Sequence, residues 1–433
     1  MSVLFQNVTA VTMDPAEPVI KDAFVAVEGT KIASVGTERP AGEFDRCIDG
    51  AGKVLMPGLV NAHTHVSMAL LRGYGGGHDL QTWLNDWIFP AEDKMDERCV
   101  AAGTALGLAE MIASGTTCIA DMYMKLGVIA RTILEAGISA NLSCGGMFFG
   151  DPADFSPEKC GDCQNQIALQ EWHGAGDGQI LAEVSIHGEY TSCAPLWQWM
   201  ADYGQKHGLG MHVHVSETKR EHEECKARRG GLTPIQILDR YGVWERGGHA
   251  AHCVWVSDED MEIMARKNIT AVHNPVSNLK LASGVARVPQ LLKAGVNMAL
   301  GTDGVASNNS HDLFEEIKLA AILHKGITGD PTAVSAFQAL SMATVNGARA
   351  LDRDAGVIAP GKIADLILID FTAPNLFPCH DVLENLVFSA NGSNVTMNMA
   401  RGKIIYEKGE FLTLDLEKIR AEMKDYALPH IFG

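Results

Sequence analysis

Eight stretches of this chain read as buried strands, and seven of them end in a histidine or an aspartate. Val-Asn-Ala-His63-Thr-His65 opens the series. Ile-Ala-Asp121, Val-Ser-Ile-His187, Met-His212-Val-His214, His249-Ala-Ala-His252, Thr-Ala-Val-His273 and Met-Ala-Leu-Gly-Thr-Asp303 follow. Polar groups at the carboxyl ends of successive parallel strands are how a β/α barrel builds an active site at one face. The pattern therefore predicts both the architecture and the place where chemistry is done.

The chain has 433 residues. That is room for a barrel of about 250 residues or somewhat more and a companion domain. From Met56-Pro57-Gly58 onward, strand-like runs alternate with amphipathic runs such as 97–114, 195–207, 258–267 and 312–325, which implies a parallel sheet. Before that point, Val3-Leu-Phe, Ala23-Phe-Val-Ala-Val and Ile32-Ala-Ser-Val read as short strands between turn signals. After Gly361, Asp365-Leu-Ile-Leu-Ile, Leu386-Val-Phe and Lys403-Ile-Ile-Tyr do the same. The expected fold is α/β: a distorted (β/α)8 barrel over residues 58–360, with a small β-sandwich made from both chain termini, 1–57 and 361–433.

With 35 Lys and Arg against 53 Asp and Glu, the net charge is −18. This argues against nucleic acid as a partner, since a phosphate backbone needs a basic surface. No run of about 18 apolar residues suggests a membrane span, and the first residues lack the pattern of a secretory signal. The ten cysteines are scattered. Cys160-Gly-Asp-Cys163 is a lone CxxC; it reads as two reduced cysteines in a cytosolic loop, with a second zinc site as the alternative. A cytoplasmic homo-oligomer is expected.

His63 and His65 lie two apart on a strand, so both imidazoles face the same way. Two neutral imidazoles aimed at one point suit a divalent metal. His214 is followed three residues on by Glu217, a carboxylate placed near such a metal but not necessarily on it. His212 shares a face with His214, and alternation alone does not choose between them. Asp303, ending the last strand, would add an anionic oxygen and leave a coordination position open for water, as a catalytic metal site requires.

Taken together, these residues resemble the amidohydrolase superfamily over nearly the whole chain. Pro57-Gly-Leu-Val-Asn-Ala-His-Thr-His65 resembles its opening metal motif, and His214-Val-Ser-Glu217 the His-x-x-Glu of its deaminase branch. Ala251-His-Cys-Val, His273-Asn-Pro-Val-Ser-Asn-Leu-Lys-Leu, Gly301-Thr-Asp-Gly-Val-Ala-Ser-Asn-Asn and Gly361-Lys-Ile-Ala-Asp-Leu resemble later motifs. Trp83-Leu, Phe89-Pro-Ala-Glu92 and Ser-Asn-Leu-Lys-Leu-Ala-Ser-Gly are most similar to the 5′-methylthioadenosine/S-adenosylhomocysteine deaminases. No lysine stands out as a carbamylated bridge between two metals. The resemblance thus implies one divalent metal, usually zinc, on His63, His65, His214 and Asp303, with His212 one layer deeper as a hydrogen-bonded histidine.

The resemblance further implies hydrolytic deamination of an adenosine-type nucleoside. Glu217 would protonate a ring nitrogen and help bind the purine, Asp303 would take a proton from the attacking water, and His252 would orient that water or steady the developing charge. Glu92 would accept hydrogen bonds from ribose hydroxyls, His187 would contact the purine or the sugar, and Trp83 would cover the ring face. His273 would stand behind the metal or serve the core, and Asp121 would support the site rather than ligate. A carboxylate-bearing homocysteine tail calls for an arginine, yet none occurs between Arg131 and Arg220, and Lys159 is the one cation in the corresponding loop. The expected substrates are therefore 5′-methylthioadenosine, 5′-deoxyadenosine or adenosine ahead of S-adenosylhomocysteine. The alternatives are an amidohydrolase deaminating or dechlorinating another N-heterocycle (guanine, pterin, cytosine or triazine) and an inactive scaffold used for protein contacts. Retention of every candidate ligand argues against the second.

Overall fold

The computed structural model describes residues 2–433. Strands β1 (Ser2–Val11), β2 (Val19–Glu28), β3 (Lys31–Gly36), β4 (Arg46–Asp49) and β5 (Lys53–Pro57) come first. The next group is β6 (Leu59–Thr64), β7 (Thr116–Met122), β8 (Ser139–Ser143), β9 (Ile180–Ala182), β10 (Val184–Ile186), β11 (Met211–Val215), β12 (Gly248–His252), β13 (Ile269–His273) and β14 (Met298–Leu300). Last are β15 (Leu366–Asp370), β16 (Val395–Ala400), β17 (Lys403–Glu407) and β18 (Glu410–Phe411).

The middle group is a distorted parallel barrel. Its two hydrogen-bonded arcs run β6-β7-β8-β9 and β10-β11-β12-β13-β14. The fourth barrel strand is broken at Glu183. There the backbone changes partner: Glu183 N–H donates to Leu142 O and Val184 N–H to Gly210 O. The arcs are joined again at the far seam, where Thr64 bridges Asp303 and Asp303 N–H donates to His63 O at 3.0 Å. Gly301 makes that seam possible, because a Cβ there would lie 2.5 Å from Asn274 Oδ1 and 2.9 Å from His63 Cβ. β6, β7, β8, β11 and β13 are buried along their whole length, as expected of strands packed on both faces.

Helices fall where the amphipathic runs are: Glu97–Ala113, Ala194–His207, Asp258–Arg266 and Leu313–Thr328. Their starts are written in the sequence. The side chains of Asp96, Ser257 and Asp312 accept backbone N–H groups of the first turn, satisfying donors that a helix end leaves orphaned.

The two termini form one nine-stranded sheet, β18-β17-β16-β15-β5-β1-β2-β3, with β4 beside β1. β15 pairs antiparallel with β5, which joins the two ends of the chain. Phe5, Val25, Leu55, Leu366, Leu368 and Met399 share one buried apolar layer there. One expectation is corrected: Leu386-Val-Phe is not a strand but the end of a helix, Val382–Phe388. Asp381 caps it by accepting Glu384 N–H, and Leu386 and Val387 are its buried residues. A three-residue apolar run carries too little periodicity to tell the two apart.

Candidate metal centre and active site

The carboxyl ends of β6, β11 and β14 bring four side chains together. His65 Nε2 and His214 Nε2 are 3.2 Å apart. Asp303 Oδ1 lies 3.4 Å from His63 Nε2 and 3.3 Å from His65 Nε2. Ligand bonds of about 2.0–2.1 Å in a tetrahedral arrangement place donor atoms about 3.3 Å from one another, so these spacings fit a single divalent cation.

The hydrogen bonds behind the rings point the same way. His65 Nδ1 donates to Met122 O and His214 Nδ1 to His187 O, both at 2.6 Å. Each bond fixes the tautomer and leaves an Nε2 lone pair facing the cluster. His63 Nε2 is buried without any hydrogen-bond partner. Burial holds the His63 imidazole at about 3 and that of His214 well below its ordinary value, so both are neutral donors. Burial also works against charge on His65, but the Asp303 carboxylate outweighs it and raises that ring to about 9. The Asp303 carboxylate thus favours positive charge at this point, as the anionic ligand of a divalent cation would.

Asp303 Oδ2 accepts Ser277 Oγ–H at 2.7 Å and Ser307 Oγ–H at 2.8 Å, which aims Oδ1 at the histidines. Asp303, His252 and Ser216 all have φ between 49° and 72°. Non-glycine residues in this region cost energy and gather at functional sites. Here each lies at or just beyond a strand end, where the chain must turn sharply to hold a side chain over the barrel.

His252 Nε2 is 3.7 Å from Glu217 Oε2, and its Nδ1 contacts Asn278 Oδ1 at 2.8 Å. Glu217 Oε1 accepts Ser283 Oγ–H at 3.3 Å. Burial raises the Glu217 carboxyl above its ordinary value, with nearby His252 opposing. Its backbone is tied down by Glu221, whose carboxylate accepts the N–H of Ser216 at 2.8 Å and of Glu217 at 2.7 Å. The same Glu221 completes a capping box with Thr218 at the start of helix Lys219–Arg228.

These groups open onto a cavity of about 390 Å³. Trp83, Glu92, His187, Glu217, His252 and Asp303 all line it. Glu92 Oε1 is buried without a partner, burial lifts its carboxyl to about 7, and the Tyr123 hydroxyl beside it partly offsets the rise. Trp83 is buried, its Nε1–H directed at Tyr74 O at 3.4 Å. His187 sits against Thr191 Oγ1 at 3.0 Å, its ring 4.7 Å from that of His214. Met68, Met122, Met124, Met147 and Phe149 supply the apolar wall, and no lysine or arginine lines the cavity. Lys159 is exposed and outside it.

Three histidines of the strand-end series lie elsewhere. His212 is one layer deeper, its Nε2 2.8 Å from His63 Nδ1. His249 packs on His212, ring centroids 4.1 Å apart. His273 packs on His324 at 5.4 Å. Asp121 accepts Val66 N–H at 2.6 Å and Thr64 Oγ1–H at 3.0 Å, bracing the turn that carries His65. Cys160 and Cys163 are free, buried, and part of no candidate metal group among the described residues. Sequence reasoning missed Ser277, Ser307, Asn278 and Tyr123. Ser277 and Asn278 stand inside the Ser-Asn-Leu-Lys-Leu run, which was the available signal.

Residues 54–405 match the model of the Amidohydrolase family. Over 431 residues the chain is 42% identical to a 5-methylthioadenosine/S-adenosylhomocysteine deaminase of Pelotomaculum thermopropionicum, covering 99% of this chain and 98% of the relative. It is also 42% identical over 414 residues to a 5′-deoxyadenosine deaminase of Methanothermobacter thermautotrophicus, covering 96% of each. Among solved structures, an adenosine deaminase of Xanthomonas campestris with bound zinc superposes with a TM-score of 0.92 at 33% identity, over 99% of this chain and 98% of that one.

Proposed function

The chain belongs to the amidohydrolase family, and from that premise we propose that it is a zinc-dependent aminohydrolase that releases the exocyclic amine of adenosine-type nucleosides as ammonia. The observation that carries this reading is the convergence of His63, His65, His214 and Asp303 beneath a cavity lined by Glu217 and Glu92. The relatives named as deaminases of 5-methylthioadenosine and 5′-deoxyadenosine, and the zinc-bound adenosine deaminase, support it.

A divalent cation held on those four residues supplies Lewis acidity and a water that is nucleophilic near neutral pH. The residues do the rest. Asp303 accepts the proton that the attacking water loses. Glu217, whose carboxyl burial raises above its ordinary value, gives a proton to a purine ring nitrogen and makes the adjacent carbon electrophilic. That carbon gains a C–O bond; Asp303 passes the water's proton to the amine as the C–N bond breaks and ammonia leaves, the remaining hydroxyl proton returns to Glu217 as the carbonyl forms, and the ring nitrogen keeps the proton it received. His252, within reach of Glu217, orients the water and steadies the charge that develops. Glu92 accepts ribose hydroxyls with the oxygen that has no partner in the protein. Trp83 and His187 flank the base and sugar.

The methionine-rich wall and the absence of a lining cation favour neutral 5′ groups over a homocysteine carboxylate, which would be buried without a partner. The unpartnered Glu92 also favours a nucleoside over a free base, which has no ribose to offer. The ten unpaired cysteines support a reducing, cytosolic setting. No helix among the described residues is long and apolar enough to cross a membrane. Ammonia release by the zinc-loaded protein tests the whole reading. 5′-Methylthioadenosine, 5′-deoxyadenosine or adenosine should exceed S-adenosylhomocysteine in kcat/KM by about tenfold or more. Equal or better efficiency on S-adenosylhomocysteine would overturn the specificity, and turnover of free bases alone would overturn the nucleoside reading.

A further inference from the structure

One buried carboxylate takes no part in the chemistry above. Glu183 stands at the break between β9 and β10, deep in the barrel, and its Oε2 has no hydrogen-bond partner. That oxygen faces His249 Nε2 at 3.5 Å and His212 Nδ1 at 4.0 Å.

The polarity of its surroundings is determined from one end. Arg353 can only donate, and it gives Asn141 Oδ1 bonds of 3.0 and 2.7 Å from Nε and Nη2. Asn141 must therefore turn its Nδ2 the other way, where it donates to Glu183 Oε1 at 2.6 Å and Leu351 O at 3.1 Å. With Oε1 held, Oε2 presents an acceptor to the histidine pair. At 4.0 Å Oε2 makes no hydrogen bond to His212, but a negative charge there favours the proton on the facing Nδ1, and Ser143 Oγ, 3.3 Å from that nitrogen, can accept it. His212 Nε2 is then a lone pair, and it accepts Nδ1–H of His63 at 2.8 Å. His63 in turn is left with a bare Nε2, the atom that lacks any partner at the metal centre.

We infer that Glu183 is a positioning residue for the cation: through His212 it holds His63 in the tautomer that offers Nε2 to the metal. This rests on the metal reading above and extends it one layer down, to residues that touch neither cation nor substrate.

A competing arrangement would use Glu183, His212 and His249 as a second cation site, since their donor atoms also lie within 4.8 Å of one another. The hydrogen bond to His63 opposes it. A metal on His212 Nδ1 would drive the proton to Nε2, against the Nδ1–H of His63, and His63 could keep its own metal bond only by giving that proton up. The two sites would work against each other.

The test is zinc affinity, measured by chelator competition, with zinc stoichiometry and the melting temperature of the metal-free protein as companions. In Glu183→Gln, Asn141 holds the amide oxygen and the amide nitrogen turns toward His212, so a donor replaces the acceptor. We expect one zinc per wild-type chain, a loss of about ten- to a hundredfold in affinity in Glu183→Gln, partial recovery in Glu183→Asp, and an unchanged metal-free melting temperature in Glu183→Gln. Wild-type affinity in Glu183→Gln would overturn the inference. So would a lower melting temperature with no recovery in Glu183→Asp, which marks a packing role. Two zinc ions per wild-type chain, one of them lost in Glu183→Gln, would overturn it in favour of the second site. A wild-type chain that binds no zinc overturns the metal reading itself, and this inference with it.

Discussion

The mouth of the barrel and the layer beneath it are built from the same residue types and do opposite things with them. At the mouth, His63, His65, His214 and Asp303 turn bare donor atoms toward one point beside an open cavity. One layer down, Arg353 donates to Asn141, Asn141 to Glu183, and His63 to His212. Imidazoles and carboxylates alone therefore do not make a reactive site. What makes one is donor atoms that converge on a single point beside a cavity, held in place by the hydrogen bonds of the layer beneath.

The largest effect should come from breaking the mouth. Asp303→Asn would remove the proposed anionic ligand and proton acceptor together, and should lower kcat by about 10⁴-fold or more with loss of bound zinc, read by steady-state rates and metal analysis. Glu217→Gln separates the two functions: kcat should fall about 10²–10⁴-fold while zinc content stays at the wild-type level. Loss of zinc in that variant would show that Glu217 belongs to the cation rather than to the substrate.

A middle-sized effect concerns the buried carboxyls. Burial raises Glu221 and Glu316 each to about 8 and Glu92 to about 7. Their folded values exceed the unfolded one, so the folded state binds more protons between the two. Stability present below about pH 4.5 is then lost as pH rises through these values. The buried histidines, held below their ordinary value, act in the opposite sense up to about pH 6.5, so the melting temperature of the metal-free protein should fall only above that, between about pH 7 and pH 9, and Glu316→Gln should flatten that slope. A melting temperature that rises over this range would contradict the assignment.

Smaller still, Glu92→Gln should raise KM for nucleosides about tenfold and leave zinc binding alone, because it weakens a hydrogen bond to ribose. An equal rise for a free base would remove the ribose role. At the bottom of the scale, Lys159→Ala should leave the ratio of 5′-methylthioadenosine to S-adenosylhomocysteine turnover unchanged, since its side chain lies outside the cavity.

How legible each region was in the sequence follows the same division. The mouth was readable because strand alternation places His63 and His65 on one face, and because a polar residue ending an apolar run has few reasons to be there. The layer beneath was not. Glu183, in Leu-Ala-Glu-Val-Ser, looks like any solvated charge, and only the change of partner strand at that residue turns its carboxylate inward. Asp303 was legible, but the hydroxyls of Ser277 and Ser307 that aim it were not, because they belong to local turns whose geometry the barrel decides. His249 and His273 had the same strand-end signature as the ligands, yet both pair with another buried histidine. Periodicity gives the face of a strand, and the depth along it is set by how far each strand is staggered. Leu386-Val-Phe failed for a further reason: a short apolar run is shared by strands and helix ends alike, and the Asp381 cap was the stronger signal.

One cation at the mouth, and no other, should make this chain an enzyme. Metal-free protein titrated with zinc while ammonia release from 5′-methylthioadenosine is followed tests it directly. Activity should rise in proportion to zinc and level off at one equivalent per chain. Full activity in the metal-free protein, or a plateau reached only at two equivalents, would contradict it.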